Sequence, residues 1–207
     1  MNRNGAFISL EGIDGAGKTS LRELLIKGNY FDNIISIREP GGTYISEQIR
    51  AILLDAQNTG MAPRTEALLY AAARSQVVEE IIRPALAQGG LVIADRYLDS
   101  TIAYQGYGRG LDIDFLIQLN HLCTGGLKPD LTLLLDVDPR EGLRRRGEEK
   151  PDRLEQEGLI FQQKVRQGYL EIAAREPGRV KVIDASRGQE DVLAEAMRYI
   201  RELVSGQ

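Results

Sequence analysis

The sequence predicts a doubly wound α/β fold, a five-stranded parallel sheet flanked by helices, and three observations carry that prediction. Five short apolar runs, at Phe7–Leu10, Ile34–Ile37, Leu91–Ala94, Leu131–Val137 and Val180–Ile183, are unbroken or nearly so, as in strands buried on both faces. Helical patterns alternate with them, at roughly 17–28, 44–55, 64–88, 112–124, 139–146, 154–175 and 189–204, which calls for right-handed crossovers. Directly behind the first run comes a glycine-rich string that fits G-x-x-x-x-G-K-[ST], the phosphate-binding P-loop.

That string is Gly12, Ile13, Asp14, Gly15, Ala16, Gly17, Lys18 and Thr19. Gly15 and Gly17 let the backbone curl so that successive N–H groups point into one anion-binding hollow. The helix opening near Gly17 adds the positive end of its dipole. Lys18 is placed to reach the β- and γ-phosphates of a nucleotide, and the Thr19 hydroxyl to ligate Mg²⁺.

Bulk properties narrow the class. At 207 residues the chain fits one domain, and 43% apolar content suffices for a substantial core. No run of eighteen apolar residues is present, and residues 1–5 form a short polar lead-in rather than a signal peptide. One cysteine, Cys123, allows no internal disulfide, and with the single histidine, His121, it builds no zinc site. A cytoplasmic location is the default expectation. The net charge of −4 argues against nucleic acid or a membrane as the main partner.

Ligands in such sheets bind beyond the carboxyl ends of the strands, which selects 11–19, 38–43, 95–105, 138–153 and 184–188. Arg38-Glu-Pro-Gly-Gly-Thr43 can neither continue a strand nor open a helix, so Glu39 is expected on a fixed turn, with a solvated ion pair as the alternative. Asp95 and Arg96 leave the third strand: the acid is the usual second metal partner opposite a P-loop, and the guanidinium offers a planar fork for phosphate. A structural Asp–Arg pair is the competing reading. Tyr70 and Arg74 lie four residues apart on the 64–88 helix, hence on one face, where they either pack or stack a base and bond its edge. The stretch from Ser100 to Gly110 combines hydroxyls, the Gln105 amide and the Tyr104 ring with a flexible glycine-rich end. Arg144, Arg145 and Arg146, followed by Lys150 and Arg153 and bounded by Gly147 and Pro151, have the composition of a mobile basic flap at about 144–153. Such a flap neutralises transition-state charge, or else is simply solvated.

The chain resembles the thymidylate kinase family almost from end to end. The resemblance rests on Leu10-Glu-Gly-Ile-Asp-Gly-Ala-Gly-Lys-Thr, Arg38-Glu-Pro-Gly-Gly-Thr, Leu68-Leu-Tyr-Ala-Ala-Ala-Arg74, Asp95-Arg-Tyr, Ala103-Tyr-Gln-Gly, Pro129-Asp-Leu-Thr-Leu and Asp152-Arg-Leu-Glu155. It implies transfer of the γ-phosphoryl group of ATP to dTMP, with Mg²⁺, by a homodimer. It implies that Asp14 accepts from the 3′-hydroxyl of the acceptor, that Arg38, Arg50 and Arg96 surround its phosphate, and that Glu39 and Asp95 support the metal. Tyr70 would stack on thymine, Arg74 would bond its O4, and Thr101, Tyr104 and Gln105 would complete the base and 2′-deoxy contacts. Ala185 and Ser186 would border adenine. One class of the family carries an arginine in the P-loop, where this chain has Gly15. The chain is similar to the other class, which makes Arg146, Lys150 and Arg153 candidate catalytic cations beside Lys18 and Arg96. Tyr70, Thr101 and Asp14 stand where phenylalanine, serine and glutamate are common, and Ala73 replaces an aspartate.

A nucleotide-gated switch is the rival from another class, because Leu127-Lys128-Pro129-Asp130 superficially matches the guanine-reading N-K-x-D. Here it precedes a strand, whereas a base-reading loop follows one.

Overall fold

The computed structural model describes residues 5–147 and 152–205. Its sheet consists of β1 (Ala6–Glu11), β2 (Ile34–Arg38), β3 (Leu91–Asp95), β4 (Leu131–Asp136) and β5 (Val180–Asp184), all parallel, in the order β2-β3-β1-β4-β5. The order reverses at β1, and a crevice therefore opens beyond the carboxyl ends of the central strands. Both faces are covered. On one, Phe7, Ile37, Val92 and Ala94 pack with Val77, Val78 and Ile82. On the other, Ile8, Leu10, Ile93 and Leu133 join a larger cluster with Leu21, Leu25, Val165, Tyr169, Ala196 and Ile200. Among the described residues no helix is long and apolar enough to cross a membrane.

The helices follow from local signals. Helix α1 (Lys18–Lys27) leaves the P-loop, and α2 (Tyr44–Leu54) is capped by Thr43, whose hydroxyl accepts from the Ser46 N–H at 3.2 Å. The pattern at 64–88 is one rod in three pieces: α3 (Pro63–Val77), a π turn (Val78–Ile82) and α4 (Arg83–Ala87). The wide turn ends just before Pro84, whose ring and missing N–H forbid an α-helical bond to Glu80. Helix α6 (Ile113–Thr124) is capped by Asp112 and α7 (Pro139–Arg146) by Asp138, and the chain closes with α8 (Gly158–Arg175) and α9 (Gln189–Ser205).

Two expectations are corrected. The segment 98–108 is helical, as α5 (Leu98–Thr101) continued by a π-helix (Ile102–Gly108), and its glycines serve close packing rather than flexibility. A Cβ on Gly108 would lie 2.6 Å from the Phe161 ring, and one on Gly168 of α8 would lie 2.7 Å from the Tyr107 ring. The pattern read as a helix from 154 begins only at Gly158, behind a 3₁₀ turn at Glu155–Glu157, so Arg153 does not open it. Lys150 and Pro151 lie outside the described residues. The 127–130 segment does precede β4, and the Asp130 carboxylate accepts from the Phe7 N–H at 2.8 Å, which employs it inside the sheet.

The Gly168–Tyr107 contact generates a test. Gly168→Leu would force the π-helix off α8, an overpacking cost of about 1–3 kcal/mol that should lower Tm by roughly 3–10 °C in a thermal melt. An unchanged Tm would show that the interface has room to spare.

Candidate active site

The site starts where β1 ends. Gly12, Gly15 and Gly17 take positive φ values of 141°, 77° and 92°, and Gly17 caps α1. At Gly15 the demand is also steric, because a Cβ there would lie 2.1 Å from the carbonyl oxygen of Gly142 in α7. The Lys18 amine turns back over the loop and donates to the carbonyls of Gly12 (3.0 Å) and Ile13 (2.9 Å). Burial, then the charge of Arg96, bring its pKa down to about 8. Gly12 and Ile13 thus hold the lysine, while Asp14, Gly15, Ala16, Gly17, Lys18 and Thr19 line a cleft of about 950 Å³. The Thr19 hydroxyl donates to the Asp95 carboxylate at 3.3 Å, and Arg22 stands 3.8 Å from the same oxygen. Among the described residues no group of three or more His, Cys, Asp or Glu gathers to cage a metal.

Arg96 sits at φ 71°, a left-handed conformation that is uncommon outside glycine and costs energy the surroundings must hold. Its guanidinium donates to Asp14 (2.5 Å), the Tyr104 hydroxyl (2.9 Å), the Gly12 carbonyl (3.0 Å) and the Tyr169 hydroxyl (3.1 Å). Its partner is thus Asp14 and not the neighbouring Asp95. Burial works against a charged Asp14, but Arg96 and Lys18 outweigh it and hold that carboxyl below its usual range. Behind Arg96 lies Glu11, which accepts from the Tyr97 N–H (2.8 Å), Ser100 (2.6 Å) and Tyr169 (2.9 Å). Burial above all, with Asp99 nearby, pushes Glu11 up to about 7.

The far wall of the cleft is built by α3 and the π-helix. Tyr70 and Arg74 both line it, as their spacing requires. Arg74 is 2% exposed and donates to Glu39 (2.7 Å), Thr101 (2.8 Å), Asn120 (2.9 Å) and the Tyr97 carbonyl (3.0 Å). Four of its five N–H groups are therefore committed to oxygen acceptors within the protein. Glu39 is consequently a buried partner of Arg74 on the cleft wall, in place of the alternative of a solvated ion pair at that turn. Burial raises its pKa against the pull of Arg74, and its Oε1 is buried with no hydrogen-bond partner. At the rim, Arg38 pairs with Glu47 at 2.9 Å and Arg50 donates to the Pro40 carbonyl at 2.9 Å. Gln105 donates to Glu66 at 2.9 Å, and both side chains are buried.

The basic segment divides into different roles. Arg144 is exposed and tied to Glu141 at 2.7 Å. Arg145 donates to the Ala185 carbonyl at 2.8 Å, joining α7 to the segment after β5. Arg146 lines the cleft, 3.5 Å from Glu155, and its Nε is buried without a partner. Arg153 is not a free flap cation: it is buried, donates to Glu66 (2.6 Å) and the Leu53 carbonyl (2.8 Å), and does not line the cleft. Ser186 likewise turns away and bonds Asp184 at 2.6 Å, leaving Ala185 and Arg187 on the cleft wall. The sequence reading assigned no role to Glu11, Glu66, Arg109 or Gln162. Glu11 carried a signal, an acid closing a nearly unbroken apolar run; the rest did not, because their partners lie 39 to 148 positions away.

Comparison with known proteins agrees with this geometry. The family model described as thymidylate kinase matches residues 10–196. The chain is 51% identical over 188 residues to a thymidylate kinase from Desulforudis audaxviator, covering 89% of this chain and 85% of that one. It is 50% identical over 203 residues to one from Lactobacillus delbrueckii subsp. bulgaricus, covering 95% and 96%. The crystal structure of thymidylate kinase from Ehrlichia chaffeensis superposes with a TM-score of 0.74 at 37% identity, over 95% of this chain and 98% of that one. A P-loop facing a tyrosine–arginine wall across one cleft, and a family match over most of the chain, place the chain in the thymidylate kinase family.

Proposed function

We propose that this protein transfers the γ-phosphoryl group of ATP to dTMP, giving dTDP and ADP, with the basic segment after α7 supplying the transition-state cation. The observation that carries the reading is a single cleft lined at one end by the P-loop and at the other by Tyr70, Arg74, Thr101 and Gln105. Two nucleotides placed there meet phosphate to phosphate. The acceptor oxygen belongs to a phosphate already anionic at neutral pH, so the chemistry needs alignment and charge neutralisation and no general base. Lys18 and Arg96 lie where the phosphates would converge, and Asp14, held ionised by Arg96, is an acceptor for a sugar hydroxyl. A closed basic flap would also exclude water, which otherwise competes for the phosphoryl group.

Thr19 and Asp95 fit Mg²⁺, being all-oxygen donors at the P-loop with too few neighbours to cage an ion alone; Mg²⁺ held this way completes its shell with water and phosphate oxygens. The free buried oxygen of Glu39 is a second candidate. When bound, the ion neutralises charge on the β- and γ-phosphate oxygens.

Gly15 supports the assignment to the class without a P-loop arginine, since the α7 backbone occupies the space a side chain would need. Within the basic segment the cation is Arg146 in this reading, and Arg153 is its anchor. A homodimer is supported by exposed Tyr44 and Ile45 on α2, Leu68 on α3 and Leu122 on α6. Work in the cytoplasm belongs to the same reading.

The reading is tested by ADP production against dTMP, dUMP, UMP, dCMP and dGMP, with dTMP expected to lead. A switch would instead hydrolyse nucleotide without any acceptor. Lys18→Ala should abolish turnover with the fold intact by circular dichroism, and retention of more than a tenth of wild-type kcat would sink the P-loop assignment. Arg146→Ala should lower kcat on the order of a hundredfold with little change in the KM for ATP, while Arg144→Ala should be silent. Near-normal turnover by Arg146→Ala would move the cation elsewhere.

Arg74→Ala should do more than weaken dTMP binding. It strands the buried Glu39 carboxylate, a loss of about 3–5 kcal/mol that should appear as a lower Tm together with a raised KM for dTMP. Adding Glu39→Gln should return much of the Tm and none of the KM. Equal recovery of both would mean that Arg74 acts only through packing.

A further inference from the structure

Glu66, on α3, has no solvent exposure and collects donors from three side chains. Its Oε1 accepts from Gln105 Nε2 (2.9 Å) and Arg109 Nε (3.3 Å). Its Oε2 accepts from Arg153 Nη1 (2.6 Å) and Arg109 Nη2 (3.1 Å). With three such donors, the carboxyl is held below its usual range despite burial, so it stays ionised and offers acceptors only. The Gln105 amide must therefore turn its NH₂ toward Glu66. The amide carbonyl is thereby turned to the side away from Glu66, and it is the one acceptor Gln105 has for the cleft it lines, beside its second N–H.

We propose that Glu66 is a positioning residue for acceptor specificity, fixing the Gln105 amide so that it presents a hydrogen-bond acceptor to the base. This rests on the reading that Gln105 borders the acceptor base. An outward carbonyl accepts the ring N3–H of a thymine or uracil and faces a lone pair on cytosine. The neighbouring cations make the orientation stiff. In a Glu66→Gln protein, Arg109 and Arg153 claim the new amide's oxygen at the Oε2 position and leave its NH₂ facing Gln105. Gln105 must then invert and show its own NH₂ to the cleft, a donor against the thymine N3–H.

The test is kcat/KM for dTMP and for dCMP in wild type, Glu66→Gln and Gln105→Met. In both variants the dTMP/dCMP ratio should fall roughly ten- to a hundredfold, the cost of one mispaired buried group. A Glu66→Gln enzyme that loses activity on both nucleotides equally, with the ratio intact, shows a purely structural glutamate and overturns the proposal. If Gln105→Met shifts the ratio while Glu66→Gln does not, Gln105 reads the base and Glu66 does not orient it. If Gln105→Met leaves dTMP kinetics unchanged, Gln105 does not meet the base, and the underlying reading falls first. Should Glu66→Gln fail to fold, Glu66→Gln/Arg153→Met removes the stranded cation, keeps Arg109 to hold the amide's polarity, and is read in the same way.

Discussion

Three guanidinium groups at the carboxyl edge of the sheet, two of them drawn fully under the surface, each meet a carboxylate there. Arg96 has Asp14, Arg74 has Glu39, and Arg153 has Glu66. For the two buried pairs, at Arg74 and Arg153, removing either member leaves a charge with no solvent to turn to. The pairs also bridge distant parts of the chain. The first ties the P-loop to the end of β3, the second ties the turn after β2 to α3, and the third ties α3 to the residues that follow the basic segment. The cleft is therefore shaped before a nucleotide enters, and its lining carries eight Lys and Arg side chains against five Asp and Glu, a cationic surplus suited to anions.

The architecture was largely legible in the sequence because its signals are local. Five apolar runs became five parallel strands within a residue or two, and the P-loop string fell between β1 and α1. What escaped was the helix at 98–108, since hydroxyls, aromatic rings and three glycines between Ser100 and Gly110 read as a loop. Its helicity depends on α6 packing against Gly106 and on α8 lying across Gly108, the latter a partner more than fifty residues further on. The π geometry of its second half has no sequence signature at all.

For the site, the residue types were legible and their partners were not. Tyr70 and Arg74 share a face because helical spacing dictates it, and both reach the cleft. That Arg74 would also bury Glu39, and that Arg153 would be claimed by Glu66, depends on tertiary contacts 35 and 87 positions apart. A run of basic residues looks like one functional unit in the sequence. In the fold it separates into a solvated pair at Arg144, a strut at Arg145, a cleft-facing group at Arg146 and a buried anchor at Arg153.

The contact between Gly15 and Gly142 has a consequence for how such an enzyme can diverge. Each glycine occupies the space of the other's missing Cβ: a side chain at 15 would strike the Gly142 carbonyl, and one at 142 would come within 2.5 Å of the Asp14 carbonyl. An arginine at position 15 of the P-loop is thus closed to a single substitution here. The loop and α7 would have to separate together, and α7 carries Arg145 and Arg146 with it. Under the role proposed for Arg146, a lineage starting from this arrangement would lose one cation in the act of making room for another.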